Sequence, residues 1–104
     1  MNMKHTMVRY TVKPECAAEN ERLVSKVFEA LHRERPAGLR YASFKLPDGV
    51  GFVHLVSRAP TAVGNPLMDL PTFREFLAEV KDRCVELPAS QELSEIGSYG
   101  FLDA

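Results

Sequence analysis

Proton-transferring side chains stand out first, because a histidine falls within a stretch that is otherwise apolar. His54 lies between Val53 and Leu55, with Phe52 two residues before it. An imidazole has an ordinary pKa of about 6.5, so it can take a proton from a phenolic hydroxyl, and burial would lower that pKa and keep the ring neutral and basic. We therefore predict His54 as a catalytic residue. The alternative is a histidine of the core or of a subunit interface whose hydrogen bonds are already satisfied.

Three tyrosines, Tyr10, Tyr41 and Tyr99, lie on stretches that predict strands. Each offers a ring for stacking and a hydroxyl that can donate to a ligand oxygen, although many tyrosines are simply structural. We predict Tyr41 as a second catalytic residue and Tyr10 as a substrate-binding residue. Arg58 is a further substrate-binding candidate because a guanidinium can hold an anionic oxygen with two hydrogen bonds, but an arginine at a strand end often only faces water.

Three residues of the predicted helices complete the substrate-binding candidates. Asn20 falls within the apolar arc of the first helix, close to Leu23 and Val27, which would direct its amide towards the sheet, where it would need a hydrogen-bonding partner. Capping of the helix or plain exposure is the favoured interpretation for Asn20. Phe73 and Phe76 are predicted core residues and, as the alternative, the apolar wall of a ligand cavity.

No arrangement of residues predicts a metal, a disulfide or a bound cofactor. Cys16 and Cys84 are far apart in sequence and form no CxxC pair, so both are expected to be free thiols. His5, His32 and His54 have no carboxylate pair at ligand spacing beside them. A nucleophilic triad and a phosphate-binding glycine loop are missing from the sequence as well. We predict no metal site and no cofactor.

The elements that would position these residues follow from apolar spacing. The most informative stretch is the hairpin from Leu39 to Arg58, in which two predicted strands flank Pro47-Asp48-Gly49. In chain order the other predictions are a strand at Thr6 to Lys13, a helix at about Glu15 to Arg35, a loop at Arg58 to Pro66, a helix from Pro71 to a break at Pro88-Ala89-Ser90, and a last strand including Leu93, Ile96, Tyr99, Phe101 and Leu102.

This element order predicts the α+β class and a ferredoxin-like βαββαβ fold, with two helices on one face of a four-stranded antiparallel sheet. The second hairpin strand is apolar at both parities, with Phe52 and Val56 on one face and Val53 and Leu55 on the other, whereas a half-solvated strand would alternate. The chain's own helices can cover only one face. We therefore predict a homodimer through the other face of the sheet, because burial stabilises each large apolar side chain by about 1.5 to 3 kcal/mol.

Length and composition exclude several classes of function. The 104 residues suffice for one core, and we predict a single domain at residues 6–104 after a flexible tail at residues 1–5. The 13 basic and 14 acidic residues give a net charge of −1 without a basic stripe, so no nucleic-acid partner is expected. We find no apolar run long enough for a signal peptide or a membrane span, and we expect a cytoplasmic protein without membrane association.

Several short stretches together resemble the antibiotic biosynthesis monooxygenase family of dimeric α+β barrels. They are Val8 to Pro14, Gly38 to Tyr41, Phe52 to Leu55 and Pro71 to Phe76. With the element order, the resemblance covers roughly residues 6–101. It implies a pocket between sheet and helices and, in the catalytic members, oxidation of aromatic polyketides without a cofactor, or haem degradation in one branch.

The chain departs from the family's pattern at the positions that matter for haem degradation. That branch uses an asparagine, a tryptophan and a histidine at positions that match Val8, Arg58 and Leu77 here, and the chain has no tryptophan. Haem degradation is therefore not expected. The family's acidic-acidic-tryptophan ending of the third strand is replaced by Val56-Ser57-Arg58, which weakens the transfer of the monooxygenase activity.

Two functions follow from these observations, and they differ in kind. The favoured hypothesis is a cofactor-independent monooxygenase that acts on a small aromatic or polyketide-like compound, as the resemblance implies. The alternative is a non-catalytic dimeric protein that binds a small apolar ligand, which the missing tryptophan and the few polar pocket candidates suggest. A purely structural dimer whose own side chains fill the cavity is the third possibility.

Overall fold

Four antiparallel strands form one sheet, and the helices pack on one of its faces. The structure is a computed structural model that describes residues 3–60 and 65–101. In chain order the elements are β1 (Lys4–Val12), a 3-10 turn (Pro14–Cys16), α1 (Ala17–Glu34), β2 (Leu39–Lys45), β3 (Gly51–Arg58), α2 (Pro71–Ala78), α3 (Val80–Arg83) and β4 (Cys84–Leu93). Within these described ranges, no helix has both the length and the apolar character that a membrane span requires.

The strands lie in the order β2-β3-β1-β4, and every neighbouring pair is antiparallel. This order places the first and third strands in the centre of the sheet, which is the ferredoxin-like topology. The predicted fold class is therefore confirmed. Part of the loop predicted between β3 and α2, residues 61–64, lies outside the described residues.

A tight turn joins β2 to β3, as the sequence predicts. The side chain of Asp48 closes it, because its Oδ1 accepts hydrogen bonds from the backbone N–H of Val50 at 3.0 Å and of Gly51 at 2.8 Å. The turn helps to set the register of the hairpin. In that register Ser43 lies directly opposite His54.

The first helix begins after Pro14 and ends two residues before Pro36. Arg35 has a left-handed backbone, with φ of 48°, and its N–H donates to the carbonyl of Leu31 at 2.8 Å. The residue before a proline is disfavoured in the helical conformation, so the helix ends here. The predicted helix at about Glu15 to Arg35 is confirmed, except that its first residues form the 3-10 turn.

The C-terminal third of the chain differs from the prediction. The second helix was expected to continue to Pro88, but the helical segments end at Arg83 and β4 already begins at Cys84. Pro88 therefore lies within a strand. This strand is at the edge of the sheet, and its pairing with β1 shifts register between Glu86 and Ala89. Pro88 lies within this interruption of the pairing, where its lack of a backbone N–H costs no regular hydrogen bond to β1.

The last strand that the sequence predicts is also wrong. Residues 94–101 follow β4 without forming a helix or a strand, and within them Ile96 and Tyr99 are fully exposed. Leu102 lies outside the described residues. The apolar residues of this segment suggest a strand, but β4 already occupies the edge beside β1.

At the other end of the chain, β1 begins at Lys4 rather than at Thr6. Lys4 and His5, which the sequence analysis assigns to a flexible tail, pair with Arg58 and Ser57 of β3. The structure therefore includes both residues in the sheet. The first two residues of the predicted tail lie outside the described part of the chain.

The two faces of the sheet differ in how they are covered. Tyr10, Phe52 and His54 point towards the helices and are buried. Val53 and Leu55 point to the opposite side and are only half-buried. Phe52 and Val53 therefore lie on opposite faces of β3, as the sequence predicts, and we term the two sides the helix face and the open face.

Candidate functional site

The strand register brings several polar side chains together on the helix face. Residues that pair directly share a face, as do residues two apart on one strand. Ser43 on β2 pairs with His54 on β3, and Tyr41 precedes Ser43 by two residues. Tyr10 on β1 lies diagonally across from His54, and Asn20 reaches this group from α1.

Arg83 begins a continuous series of buried hydrogen bonds. Its Nε donates to Asn20 Oδ1 at 3.2 Å, and Asn20 Nδ2 donates to Tyr10 Oη at 2.8 Å. Arg83 Nη2 also donates to the backbone oxygen of Phe76 at 2.8 Å, and the guanidinium lies 5.2 Å from the centre of the Phe76 ring. Asn20 is 0% exposed and Arg83 is 6% exposed. A buried charge is costly without partners, and these contacts offset the cost of burying the Arg83 guanidinium.

The series continues through His54 to the edge strand β2. Tyr10 Oη lies 2.8 Å from His54 Nε2. The other ring nitrogen, Nδ1, lies 2.6 Å from Tyr41 Oη and 2.8 Å from Ser43 Oγ. We term these six residues, from Arg83 to the Tyr41–Ser43 pair, the relay.

Burial keeps the interior groups of the relay uncharged. It lowers the pKa of His54 to about 4 and raises the pKa of Tyr41 to about 12. Burial also raises the pKa of Tyr10, although the hydrogen bond from Asn20 opposes that shift. At neutral pH the imidazole and both phenols are therefore neutral, and the charge of the relay resides on Arg83.

Aromatic rings surround the relay. The ring of Phe76 lies 5.7 Å from that of His54, between centroids. Phe28 stacks on Tyr41 at 5.2 Å with 16° between the planes, and Phe73 meets Tyr41 edge-on at 6.4 Å. Hydrogen bonds in such apolar surroundings are electrostatically stronger than in water. Tyr41 is only half-buried between its two rings, so the relay approaches the surface there.

The structure brings together six of the seven predicted site residues. They are His54, Tyr41, Tyr10, Asn20, Phe73 and Phe76. Arg58 lies apart from them at the end of β3, where it pairs with Lys4 and Leu39. The grouping is a structural fact, whereas the catalytic and binding roles of these residues stay predictions.

Two individual expectations need correction. Asn20 is neither a helix cap nor exposed, because it lies one turn inside α1 and its amide is buried against Tyr10 and Arg83. Tyr99 is fully exposed in the segment after β4 and belongs to no strand. His54 has hydrogen bonds at both ring nitrogens, as the core interpretation of this residue requires.

Arg83 and Ser43 are site residues that were not predicted from the sequence. Arg83 follows Phe76 by seven residues and Val80 by three, so it lies on the apolar side of the predicted second helix, and a charge at that position was the available signal. Ser43 has the same strand parity as Tyr41. Pairing the two strands of the hairpin around its turn would have placed Ser43 opposite the histidine.

A cavity of about 710 Å³ lies mainly on the open face, between the strands and the segment after β4. Leu55 and Ser57 of β3 line it, and Tyr41 contributes to its wall, but His54 does not. His5 Nδ1 lies 2.6 Å from Ser57 Oγ and its Nε2 lies 3.3 Å from Glu95 Oε1, so this histidine links β3 to the segment. The cavity and the buried part of the relay are therefore on opposite sides of the sheet.

Cysteine, histidine and carboxylate side chains are scattered rather than clustered. In the described part of the chain no three of them converge as metal ligands would. Cys16 and Cys84 are free thiols.

Solved structures share this fold over nearly their whole length. Rv0793 from Mycobacterium tuberculosis is 15% identical with a TM-score of 0.74, and the match covers 93% of this chain and 98% of that one. A protein named antibiotic biosynthesis monooxygenase is 16% identical with a TM-score of 0.68, covering 91% and 100%. A variant of SnoaB, described as a cofactor-independent oxygenase from Streptomyces nogalater, is 13% identical with a TM-score of 0.68, covering 94% and 97%.

Comparisons of the sequence alone, by contrast, give no match. The sequence profiles of known protein families give no match, and curated protein sequences give none either. Identities of 13 to 16% establish a fold and nothing finer. The chain therefore has the ferredoxin-like α+β fold of structures named antibiotic biosynthesis monooxygenases.

Proposed function

We propose that this protein is an oxygenase that uses molecular oxygen without a bound cofactor and acts on a small aromatic or polyketide-like compound. The observation that carries the proposal is the outer end of the relay, where the hydroxyls of Tyr41 and Ser43 meet one nitrogen of a buried, neutral His54. The rings of Phe28 and Phe73 flank Tyr41 and suit a flat ligand. The fold shared with SnoaB supports the same conclusion.

Such an oxygenase has to ionise its substrate first. Oxygen in its ground state accepts electrons singly, and an enolate or phenolate gives up an electron far more readily than the neutral compound. Enzymes promote ionisation either by removing the proton or by stabilising the anion with fixed hydrogen-bond donors. In this site the substrate oxygen would lie against the Tyr41 and Ser43 hydroxyls.

The reaction balances with oxygen as the oxidant. The substrate anion, formed from a ring CH2 group conjugated to a carbonyl, gives one electron to oxygen. The resulting radical and superoxide form a C–O bond, and the proton released on ionisation returns to give a hydroperoxide. Loss of water then breaks the O–O bond, so that one oxygen atom becomes a carbonyl of the product, the other leaves as water, and the CH2 carbon is oxidised by four electrons.

Four of the five predicted substrate-binding residues, all except Arg58, divide into two groups. Phe73 is half-buried beside Tyr41 and can meet a ligand ring. Tyr10, Asn20 and Phe76 are buried behind His54 and would position it rather than touch substrate.

Oxygen uptake tests the proposal. The purified protein, with a chelator present, is offered a panel of anthrones and hydroquinones, and we expect substrate-dependent oxygen consumption with quinone formation. Tyr41→Phe should lower kcat/KM by about 10- to 100-fold, since one positioned hydroxyl is lost. Tyr99→Phe, which alters a fully exposed tyrosine, is the matched control and should not change the rate. A folded protein that consumes no oxygen with the whole panel would contradict the proposal.

We further propose that a second copy of the chain covers the open face. Met7, Val53 and Leu55 are half-buried there, and Phe44 and Leu93 remain 39% and 38% exposed. Burying such side chains against a partner is favourable and offsets the cost of association. Light scattering after size exclusion should give about twice the chain mass of 11.7 kDa. A monomer at micromolar concentration would count against the dimer.

The alternative function is a dimeric protein that binds a small apolar ligand without reacting. One observation favours it: Tyr10, Asn20 and His54 are buried and satisfy one another's hydrogen bonds, as the members of a purely structural network would. A ligand that binds only the folded state raises its melting temperature. Thermal stabilisation by members of the panel, without oxygen uptake, would support this function over the first.

A further inference from the structure

We propose that the Tyr41 and Ser43 hydroxyls form a hydrogen-bond donor site for an anionic ligand oxygen. We further infer that Arg83, acting through the relay, fixes the direction in which each hydrogen bond of the relay is donated, so that these hydroxyls donate outward. The nature of the ligand, a phenolate or enolate, rests on the proposed function, whereas the direction of the hydrogens does not. The inference changes the role first predicted for His54. The imidazole does not remove a proton; it is a positioning residue that keeps the two outer hydroxyls pointing outward.

The direction of hydrogen-bond donation is fixed first at Arg83, because a guanidinium has N–H donors and no acceptor. Its Nε lies 3.2 Å from the side-chain amide of Asn20, so the amide oxygen faces the arginine. The amide nitrogen then faces Tyr10 Oη at 2.8 Å and donates to it. The orientation of the asparagine is thus assigned from its partners, and it makes Tyr10 Oη an acceptor at this contact.

Tyr10 has one hydroxyl hydrogen and one remaining close partner, His54 Nε2 at 2.8 Å. A hydrogen pointing elsewhere would be unpaired in the core, at a cost of about 1 to 3 kcal/mol. Tyr10 therefore donates to Nε2, which must be unprotonated. Because burial keeps His54 neutral, its single ring hydrogen lies on Nδ1.

At the outer end, the hydrogen on Nδ1 faces Tyr41 Oη at 2.6 Å and Ser43 Oγ at 2.8 Å. The ring hydrogen is donated to one of these oxygens, and one hydroxyl can turn towards the other. At least one hydroxyl hydrogen is then directed away from the relay. Besides His54, the described residues offer these two hydroxyls only each other as hydrogen-bonding partners. An accepting oxygen from a ligand would complete the arrangement.

The charge on Arg83 decides which kind of oxygen fits best. Every bond of the relay points away from this charge, and aligned hydrogen bonds polarise one another, so the terminal hydroxyl donates more strongly than an isolated one. Such a donor stabilises an anionic oxygen more than the hydroxyl of the same ligand. The site should therefore favour the ionised form of a phenol or enol.

Nitrogen NMR of the uniformly ¹⁵N-labelled full-length chain tests the direction without ligand or turnover. In the wild type we expect the His54 ring to carry its hydrogen on Nδ1 and none on Nε2. His54→Gln identifies the signals, because His5 and His32 remain in that variant. A ring hydrogen on Nε2 of the wild type would refute the inference outright.

Asn20→Asp should reverse the relay with almost no change of shape. A carboxylate beside Arg83 can only accept, so Tyr10 would donate to it and would in turn accept from His54 Nε2. We expect the ring hydrogen to move to Nε2, and a variant that keeps it on Nδ1 would contradict the role given to Arg83. If Asn20→Asp does not fold, the wild-type spectrum and the titration below still decide the matter.

Titration with 4-nitrophenol, whose visible absorbance distinguishes its two forms, tests the donor site. The wild type should bind the phenolate in preference and lower the pKa of the bound probe by about one unit, a tenfold preference. The double variant Tyr41→Phe, Ser43→Ala should lose this shift, whereas Tyr99→Phe should keep it. Preference for the neutral phenol, or binding of neither form, would overturn the donor site. If both measurements succeed and oxygen uptake fails, the proposed function is wrong and the inference stands.

Discussion

The two faces of the sheet place different demands on their side chains. On the helix face the relay pairs six polar residues with one another, and four of them, Arg83, Asn20, Tyr10 and His54, are buried in the core. On the open face, Met7, Val53 and Leu55 are apolar and half-buried, and they make no such pairs. A buried polar group left without its partner is costly, whereas apolar contacts adjust to small changes. We therefore expect chemistry from the first face and association from the second.

The largest expected effect is the loss of stability when the relay is interrupted at Asn20. Asn20→Ala leaves a donor of the buried Arg83 without an acceptor and leaves Tyr10 Oη without its donor. We expect the free energy of unfolding to fall by about 3 to 4 kcal/mol, as for other broken buried charge contacts. Urea denaturation measures it. Ser25→Ala, on the exposed side of the same helix, is the control and should change stability by less than about 0.5 kcal/mol.

A loss of less than about 1 kcal/mol for Asn20→Ala would remove the contrast between the two faces, because typical exposed positions already cost that little. In that event the relay would be a set of weak contacts, and Arg83 would be held by Phe76 alone.

The next effect is a dependence of stability on pH that comes from the helix face. The pKa of His54 is about 4 in the folded protein and about 6.5 in an unfolded chain. Between these values the unfolded state binds a proton that the folded state does not, so stability falls as the pH drops from about 6.5 towards 4. The whole shift corresponds to at most about 3 to 4 kcal/mol. Tyr10 and Tyr41 stay protonated throughout this range, because burial raises the pKa of both phenols.

Comparison with His54→Gln isolates this contribution, since carboxylates elsewhere titrate equally in both proteins. The difference in unfolding free energy between wild type and variant should shrink as the pH falls from about 6.5 to 4. A difference that stays constant would mean that the folded histidine titrates normally and is not buried as the structure has it.

The fold could be predicted from sequence because its signals are local. The alternation at Tyr10 and Val12, the helical period at Leu23 and Val27 and the turn at Asp48 each lie within a few residues of one another. The C-terminal third was mispredicted for a physical reason. A proline rules out a central strand but not an edge strand, and whether a strand lies at the edge depends on the whole sheet.

The site was predictable only in part, because its contacts join distant residues. His54, Tyr41 and Tyr10 were found from residue type and strand position alone. Arg83 contacts Asn20 across 63 positions, and no local pattern reveals such a pair before the helices are placed on the sheet. Once the helices are placed, two polar residues on the apolar sides of two packed helices are expected to hydrogen-bond to each other, because buried polar groups need partners.

A smaller effect is expected on the open face, where a charge should weaken association without disturbing the relay. Leu55→Lys is expected to weaken the proposed dimer by about 2 kcal/mol, a rise in Kd of about 30-fold. Leu77→Lys is the control, because Leu77 is an exposed leucine on α2. Light scattering over a dilution series measures the effect, and the His54 ring signals should be the same in both variants. A Leu55→Lys protein that remains as dimeric as the wild type would show that the open face is not the interface.

The smallest effects, and the most specific, are expected at the outer end of the relay. Tyr41 and Ser43 compete for the one hydrogen on His54 Nδ1, so either hydroxyl can accept it when the other is missing. Tyr41→Phe and Ser43→Ala should each cost about 0.5 to 1 kcal/mol in unfolding free energy, whereas the double variant leaves the buried N–H unpaired. The double variant should therefore cost about 1 kcal/mol more than the sum of the two. The pair Tyr41→Phe and Ser25→Ala, which share no partner, should be additive. Additivity at Tyr41 and Ser43 would mean that these two hydroxyls do not share the ring hydrogen of His54 Nδ1. It would contradict the inference that His54 donates outward to them.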